Sequence, residues 1–187
     1  MARELTKVAA RVGLALVLAA GGSVFISDTG QEFVKQKEAL RLTPYQDEAG
    51  VWTDGWGNTK GVVPGRPITR EKAQADFDSH MRVFVNSVLD ALDPVEVLWQ
   101  GQLDGYVSLT HNIGGGAFAK STAARKHRAG DFPGAALSIL SWDKLRDTKT
   151  KQLRPSKGLA TRRYQEYNAV IASIPLGYWN LSRDRSH

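Results

Sequence analysis

The chain has 187 residues, 42% hydrophobic and 24% charged, enough for one domain with a good core and unlike a disordered or low-complexity chain. It has no cysteine, which excludes a disulfide framework, a thiolate nucleophile and a cysteine zinc site. The net charge of +6 favours an anionic partner.

Residues 12–26 (VGLALVLAAGGSVFI) carry no charge and follow Arg3, Lys7 and Arg11; Asp28 and Glu32 come after. Basic residues ahead of an apolar run favour a cytoplasmic N-terminus. Fifteen helical residues span only about 22 Å, short of the roughly 30 Å hydrocarbon core. Six of the fifteen are Gly or Ala, so the apolar grip is weak. Three readings compete: a cleavable signal peptide ending near Ala19–Gly21, a helix of a cytoplasmic enzyme, and an uncleaved signal-anchor that later leaves the bilayer. The expected division is a signal-anchor over 1–27, a catalytic domain over 28–175 and a tail over 176–187.

Residues 30–43 (GQEFVKQKEALRLT) read as a helix that carries Glu38 near its end and stops at Pro44. Residues 50–65 hold five glycines among Val51, Trp52, Val62 and Val63, which predicts short strands and turns. Thr69 with Glu71, just after Pro67, marks a helix start. Ala73, Phe77, Met81, Phe84, Val85, Val88, Leu89 and Leu92 then recur at helical spacing as far as Pro94. Further helices are expected over 98–113, closed by Gly114 to Gly116, and over 132–145 and 157–174. The tail lacks periodicity, and Tyr178 and Trp179 are expected to pack or be disordered. The sum is α+β and mainly helical, a small strand-bearing lobe ahead of a helical one.

Glycosidic bond cleavage needs a protonated carboxyl on one side of the bond, and an ionised carboxylate, usually with a positioned water, on the other. Glu38, Asp47 and Thr53 stand in one short segment, with eight residues between the first pair and five between the second. Tyr45 precedes Asp47, and Gly50, Trp52, Gly55, Trp56 and Gly57 form a glycine-rich aromatic turn. Downstream lie NIGGGAF (112–118) followed by Ser121 and Thr122, and then GLATRRYQE (158–166). These three motifs, in this order, resemble the phage-type muramidases, the T4-lysozyme-like endolysins. The likeness covers roughly residues 34–172.

The resemblance implies a lysozyme-like fold with the cleft between the lobes. It also implies hydrolysis of the β-1,4 bond between N-acetylmuramic acid and N-acetylglucosamine in peptidoglycan, in the service of host cell lysis. Glu38 is the expected general acid, Asp47 the ionised partner and Thr53 the holder of water. Each has a plainer alternative: a solvated helix face, a turn cap and a strand residue. Tyr45, Gly55, Gly57, Asn58, Asn112 and Phe118 are the expected substrate-binding residues. Asn58 stands where many relatives have His and does not titrate. Asn112 is read either as a sugar ligand or as a helix cap, and Arg162 and Arg163 as structural ion-pair residues.

No metal or organic cofactor is expected, since carboxylates suffice and the four histidines make no ligand spacing. Eight Lys/Arg against the one acid Asp147 between Lys144 and Arg163 suit peptidoglycan carboxylates. No aromatic-basic motif suggests nucleic acid, and a monomer is expected. Some endolysins of this kind carry a signal-arrest-release segment, which implies host inner membrane first and periplasm after release; the alternative is a cytoplasmic enzyme freed by a holin. Other functions kept open are a lytic transglycosylase using Glu38 alone, and a membrane-tethered wall-binding protein without activity.

Overall fold

The computed structural model describes residues 24–47, 50–94, 97–147 and 150–179. Most of the expected signal-anchor (1–23) and of the tail (180–187) lies outside them, as do Thr148 and Lys149. Val24 to Ser27 are part of the folded body: Ile26 is buried, and Ser27 caps the first helix by accepting the Gly30 N–H.

Helix α1 (Asp28–Lys35) is followed by β1 (Arg41–Gln46) and β2 (Trp52–Gly55), an antiparallel hairpin with Tyr45 opposite Thr53 and Gln46 opposite Trp52. The expected helix over 30–43 is therefore too long. It stops at Lys35, and Pro44 sits buried inside β1. Proline lacks the N–H a ladder uses; here the register shifts between Arg41 and Tyr45, around that position.

Helix α2 (Arg70–Leu92) starts where the sequence places it, with the Thr69 hydroxyl accepting the Lys72 N–H. Its buried face of Ala73, Phe77, Met81, Val85, Val88 and Leu92 repeats at helical spacing and supplies much of the core. Helix α3 (Gln100–Ile113) is the axle of the helical lobe, buried from Gln102 to Thr110 apart from Asp104. Two short helices, α4 (Gly115–Ala119) and α5 (Thr122–Arg128), come next and were not anticipated.

Helix α6 (Phe132–Ser138) runs through a 3-10 turn (Ile139–Ser141) into β3 (Lys144–Arg146), which pairs with β4 (Leu153–Pro155). The expected helix to Leu145 thus ends early. Leu145 is exposed on a hairpin and gives no buried helical face to continue.

Helix α7 (Lys157–Ala172) packs along α3. The approach is close because Gly101 and Gly105, one turn apart, face it. A Cβ at Gly101 would lie 2.5 Å from the Ala169 carbonyl oxygen, and one at Gly105 2.5 Å from Val170 Cγ2. A final 3-10 turn (Leu176–Tyr178) sets Tyr178 edge-on to Trp99 at 4.9 Å between ring centroids. No helix among the described residues is long and apolar enough to cross a membrane.

Candidate active site

Glu38 sits in the tight turn after α1, where its N–H donates to the Lys35 carbonyl at 3.0 Å. The helix above is held at its far end by Asp104 of α3, which accepts the Ser27 hydroxyl, the Ser27 N–H at 2.9 Å and the Gln100 amide. The Glu38 carboxyl is half-buried. Burial pushes its pKa above the ordinary carboxylate range, and the Arg162 guanidinium offsets part of the rise. A general acid at neutral pH needs a shift in that direction.

Facing it is the turn after β2. Gly57 has φ +82°, a left-handed conformation that favours glycine, and a Cβ there would stand 3.6 Å from Glu38 Oε2. A Cβ at that distance makes only ordinary van der Waals contact, so it is the backbone conformation that favours glycine here. Gly55, also left-handed at φ +57°, seats the hairpin against Ala73 of α2.

The hairpin register sets Tyr45 opposite Thr53 on one face, and Asp47 follows directly after β1. Asp47 also closes the hairpin loop: its Oδ1 accepts the Val51 N–H at 2.9 Å, and its own N–H donates to the Val51 carbonyl at 3.0 Å. Turn cap and half-exposed carboxylate are therefore the same residue. Thr53 is 3% exposed, and its hydroxyl donates to the Val51 carbonyl at 3.0 Å. With the proton so used, the oxygen acts toward any further partner as an acceptor. The Arg41 guanidinium stacks on Tyr45, 4.7 Å from its centroid.

Three of the expected substrate contacts, Phe118, Asn58 and Asn112, have structural partners of their own. Phe118 is fully buried and packs on Tyr106 at 5.4 Å, as part of the core. Asn58 builds the turn: its Nδ2 donates to Asp54 Oδ1 and the Lys60 carbonyl, and its Oδ1 accepts the Lys60 N–H. Asn112 does not cap α3; it is exposed, and its Oδ1 accepts from Arg163 Nη2 at 3.0 Å.

Arg162 and Arg163 are both buried and share Glu166, at 3.1 Å and 2.9 Å. Ser108 of α3 completes the cluster, its hydroxyl donating to Glu166 Oε1 at 2.7 Å and its carbonyl accepting from Arg162. This ion triad joins α7 to α3 and sets the cation that Glu38 senses.

A cavity of about 140 Å³ opens beside Gly57, lined also by Asn58, Thr59, Lys60, Ser79 and His80. The rings of His80, Phe84 and His111 pack together there, 5.0–5.8 Å apart, His111 edge-on to the other two. Burial lowers the pKa of both imidazoles and pushes His111 down to about 4. Among the described residues no group of three or more His, Asp or Glu is placed to hold a metal ion.

The phage lysozyme family profile matches residues 35–166, a span that includes Glu38, the hairpin and the Arg162–Glu166 cluster. The chain belongs to the phage lysozyme family. It is similar to an endolysin of Acyrthosiphon pisum secondary endosymbiont phage 1, 37% identical over 141 residues (75% of this chain, 94% of the relative). It is also similar to the SAR-endolysin of Escherichia phage 933W, 33% identical over 195 residues (98% of this chain, 100% of the relative). In structure it resembles the endolysin from Escherichia coli O157:H7 phage FAHEc1, with TM-score 0.70 and 32% identity over 82% of this chain and 97% of that one. The architecture is lysozyme-like, and this phage lysozyme is a glycoside hydrolase of the endolysin kind that acts on peptidoglycan.

Proposed function

We propose that the chain is a muramidase cutting the β-1,4 bond between N-acetylmuramic acid and N-acetylglucosamine, with Glu38, Asp47 and Thr53 as its catalytic residues. The observation that carries this reading is the half-buried Glu38 carboxyl, its pKa raised by burial, against Gly57 in the turn that follows the hairpin carrying Asp47 and Thr53. Glu38 protonates the glycosidic oxygen as the bond to the sugar carbon breaks. Water attacks that carbon from the opposite side. To aim a lone pair at carbon, it hydrogen-bonds through one O–H to the Asp47 carboxylate, which takes that proton as the C–O bond forms, and through the other to Thr53 Oγ1, an acceptor here because its own hydrogen bonds to Val51; the second proton stays on the new sugar hydroxyl. Tyr45, Gly55 and Gly57 shape the wall along which the sugars lie.

The wall-lysing role gives the N-terminal run its purpose. Arg3, Lys7 and Arg11 ahead of an uncharged Gly/Ala-rich stretch suit a signal-anchor in the inner membrane with its N-terminus in the cytoplasm. A relative spanning the whole chain is named a SAR-endolysin. The enzyme would work in the periplasm as a monomer after leaving the bilayer.

Release of reducing sugar from purified sacculi tests the site. Glu38→Gln should lower the rate by about 10²–10⁴-fold, since the amide keeps the shape but delivers no proton. Near-normal release by that variant removes Glu38 from the reaction.

A further inference from the structure

Lys35 closes α1, three residues ahead of Glu38, yet its side chain is only 10% exposed. Its ammonium lies over the Trp56 ring at 4.6 Å from the centroid and over Phe77 at 5.0 Å. It donates to Gln74 Oε1 at 2.7 Å and approaches Glu32 at 3.6 Å. Gln74 is itself fixed, its amide donating to Gln31 Oε1 and Asp78 Oδ1. A cation with this little water commits its charge to the partners that surround it.

Those partners belong to both walls of the site. The Lys35 backbone carbonyl holds the Glu38 N–H at 3.0 Å. Trp56, beneath the ammonium, is bonded directly to Gly57, the residue against the Glu38 carboxyl. Phe77 and Gln74 belong to α2, the helix on which the hairpin rests. One side chain thus joins the turn that carries the carboxyl, the turn that faces it and the helix beneath both.

We propose that Lys35 is a positioning residue for Glu38, fixing the carboxyl's turn against the Gly57 turn through Trp56 and Gln74. It touches no substrate and moves no proton. This rests on Glu38 being the acid. Loosening the clamp moves the carboxyl from its place and admits water around it. Displacements of about an ångström cost up to about 10²-fold in rate with little change in ground-state binding.

The test uses the full chain on solubilised peptidoglycan, with Lys35→Met, Lys35→Arg, Gln74→Leu and Glu38→Gln side by side. Lys35→Met keeps the stem and loses the charge. Its kcat should fall about tenfold or more with KM changed less than about threefold. The alkaline limb of its kcat profile should move to lower pH, as a better-hydrated carboxyl loses part of its rise. Lys35→Arg retains a cation over the ring and should recover most of kcat. Gln74→Leu leaves Lys35 in place without its hydrogen-bond partner and should show the same two signatures more weakly, which keeps the test open if Lys35→Met does not fold. A folded Lys35→Met, or failing that Gln74→Leu, with normal kcat and an unmoved limb overturns the proposal while an inactive Glu38→Gln leaves the acid in place. An active Glu38→Gln overturns both.

Discussion

Burial lifts the Glu38 pKa above its unfolded value near 4.5, so the ionised carboxyl destabilises the folded state at neutral pH. The stability this group contributes is full below about pH 4.5 and is lost as pH rises through the higher folded value. Glu38→Gln should therefore melt at a higher temperature than wild type at pH 7, with the gap closing below pH 4.5; a lower Tm at pH 7 would mean that the Arg162 attraction outweighs burial. Two histidines act in the opposite sense. Burial holds His111 and His127 down to about 4 against 6.5 unfolded, so their contribution is present above pH 6.5 and lost as pH falls toward 4. His127 is fixed as the Nε2–H tautomer, donating to the Val97 carbonyl and accepting from the Tyr106 hydroxyl at Nδ1. Melting curves should show Tm falling between pH 6.5 and 4, less steeply in His127→Gln. At this scale the sequence makes the proposed set of Glu38, Asp47 and Thr53 legible through its spacing beside the glycine-rich segment. It hides Lys35, because its partners Trp56, Gln74 and Phe77 come from separate elements. It also hides the burial of Phe118, since a family motif does not say which of its residues face inward.

Elements are joined by close approach and by buried charge. The α3–α7 seam depends on Gly101 and Gly105 having no side chain, and the nearest atom to Gly101 is a backbone carbonyl that cannot swing away. Gly101→Ala should cost about 1–3 kcal/mol, a Tm loss of about 2–4 °C per kcal/mol. An unchanged Tm would show that the helices slide apart freely. The basic stretch divides along the same line: Arg162 and Arg163 are inside, bonded to Glu166, while Lys144, Arg146, Lys151 and Arg154 are exposed on the β3–β4 hairpin. Reversing Lys144 and Lys151 to Glu should weaken binding to isolated sacculi at low salt and much less at high salt, where screening removes long-range attraction. Equal binding at low salt would make the hairpin a merely solvated surface. That hairpin was illegible in the sequence because Leu145 and Leu153 are both exposed, leaving no alternation of buried and open positions to read. The long helix α2 was legible because its apolar positions and its Thr69 cap agree.

The order of the whole molecule, strand-bearing lobe before helical lobe, follows from where glycine and aliphatic periodicity fall along the chain, and three motifs in sequence order name the family. Control of the enzyme also belongs to this scale. Ile26 is core and Ser27 binds Asp104, so the last residue of the apolar run and the one directly after it are needed to assemble the body that holds Glu38. An anchored chain should therefore be exported but quiet. Collapse of the membrane potential, which favours the cytoplasmic placement of Arg3, Lys7 and Arg11, should move it to the periplasm and start lysis. Replacing Gly13, Gly21 and Gly22 by Leu should delay lysis after an uncoupler, and prompt lysis by that uncleaved variant would contradict release. The chemistry is tested most directly by mass spectrometry of borohydride-reduced fragments from wild-type digestion of purified sacculi. The account predicts reduced N-acetylmuramic acid at every new end. New ends that carry 1,6-anhydro-muramic acid, or reduced N-acetylglucosamine, would contradict it.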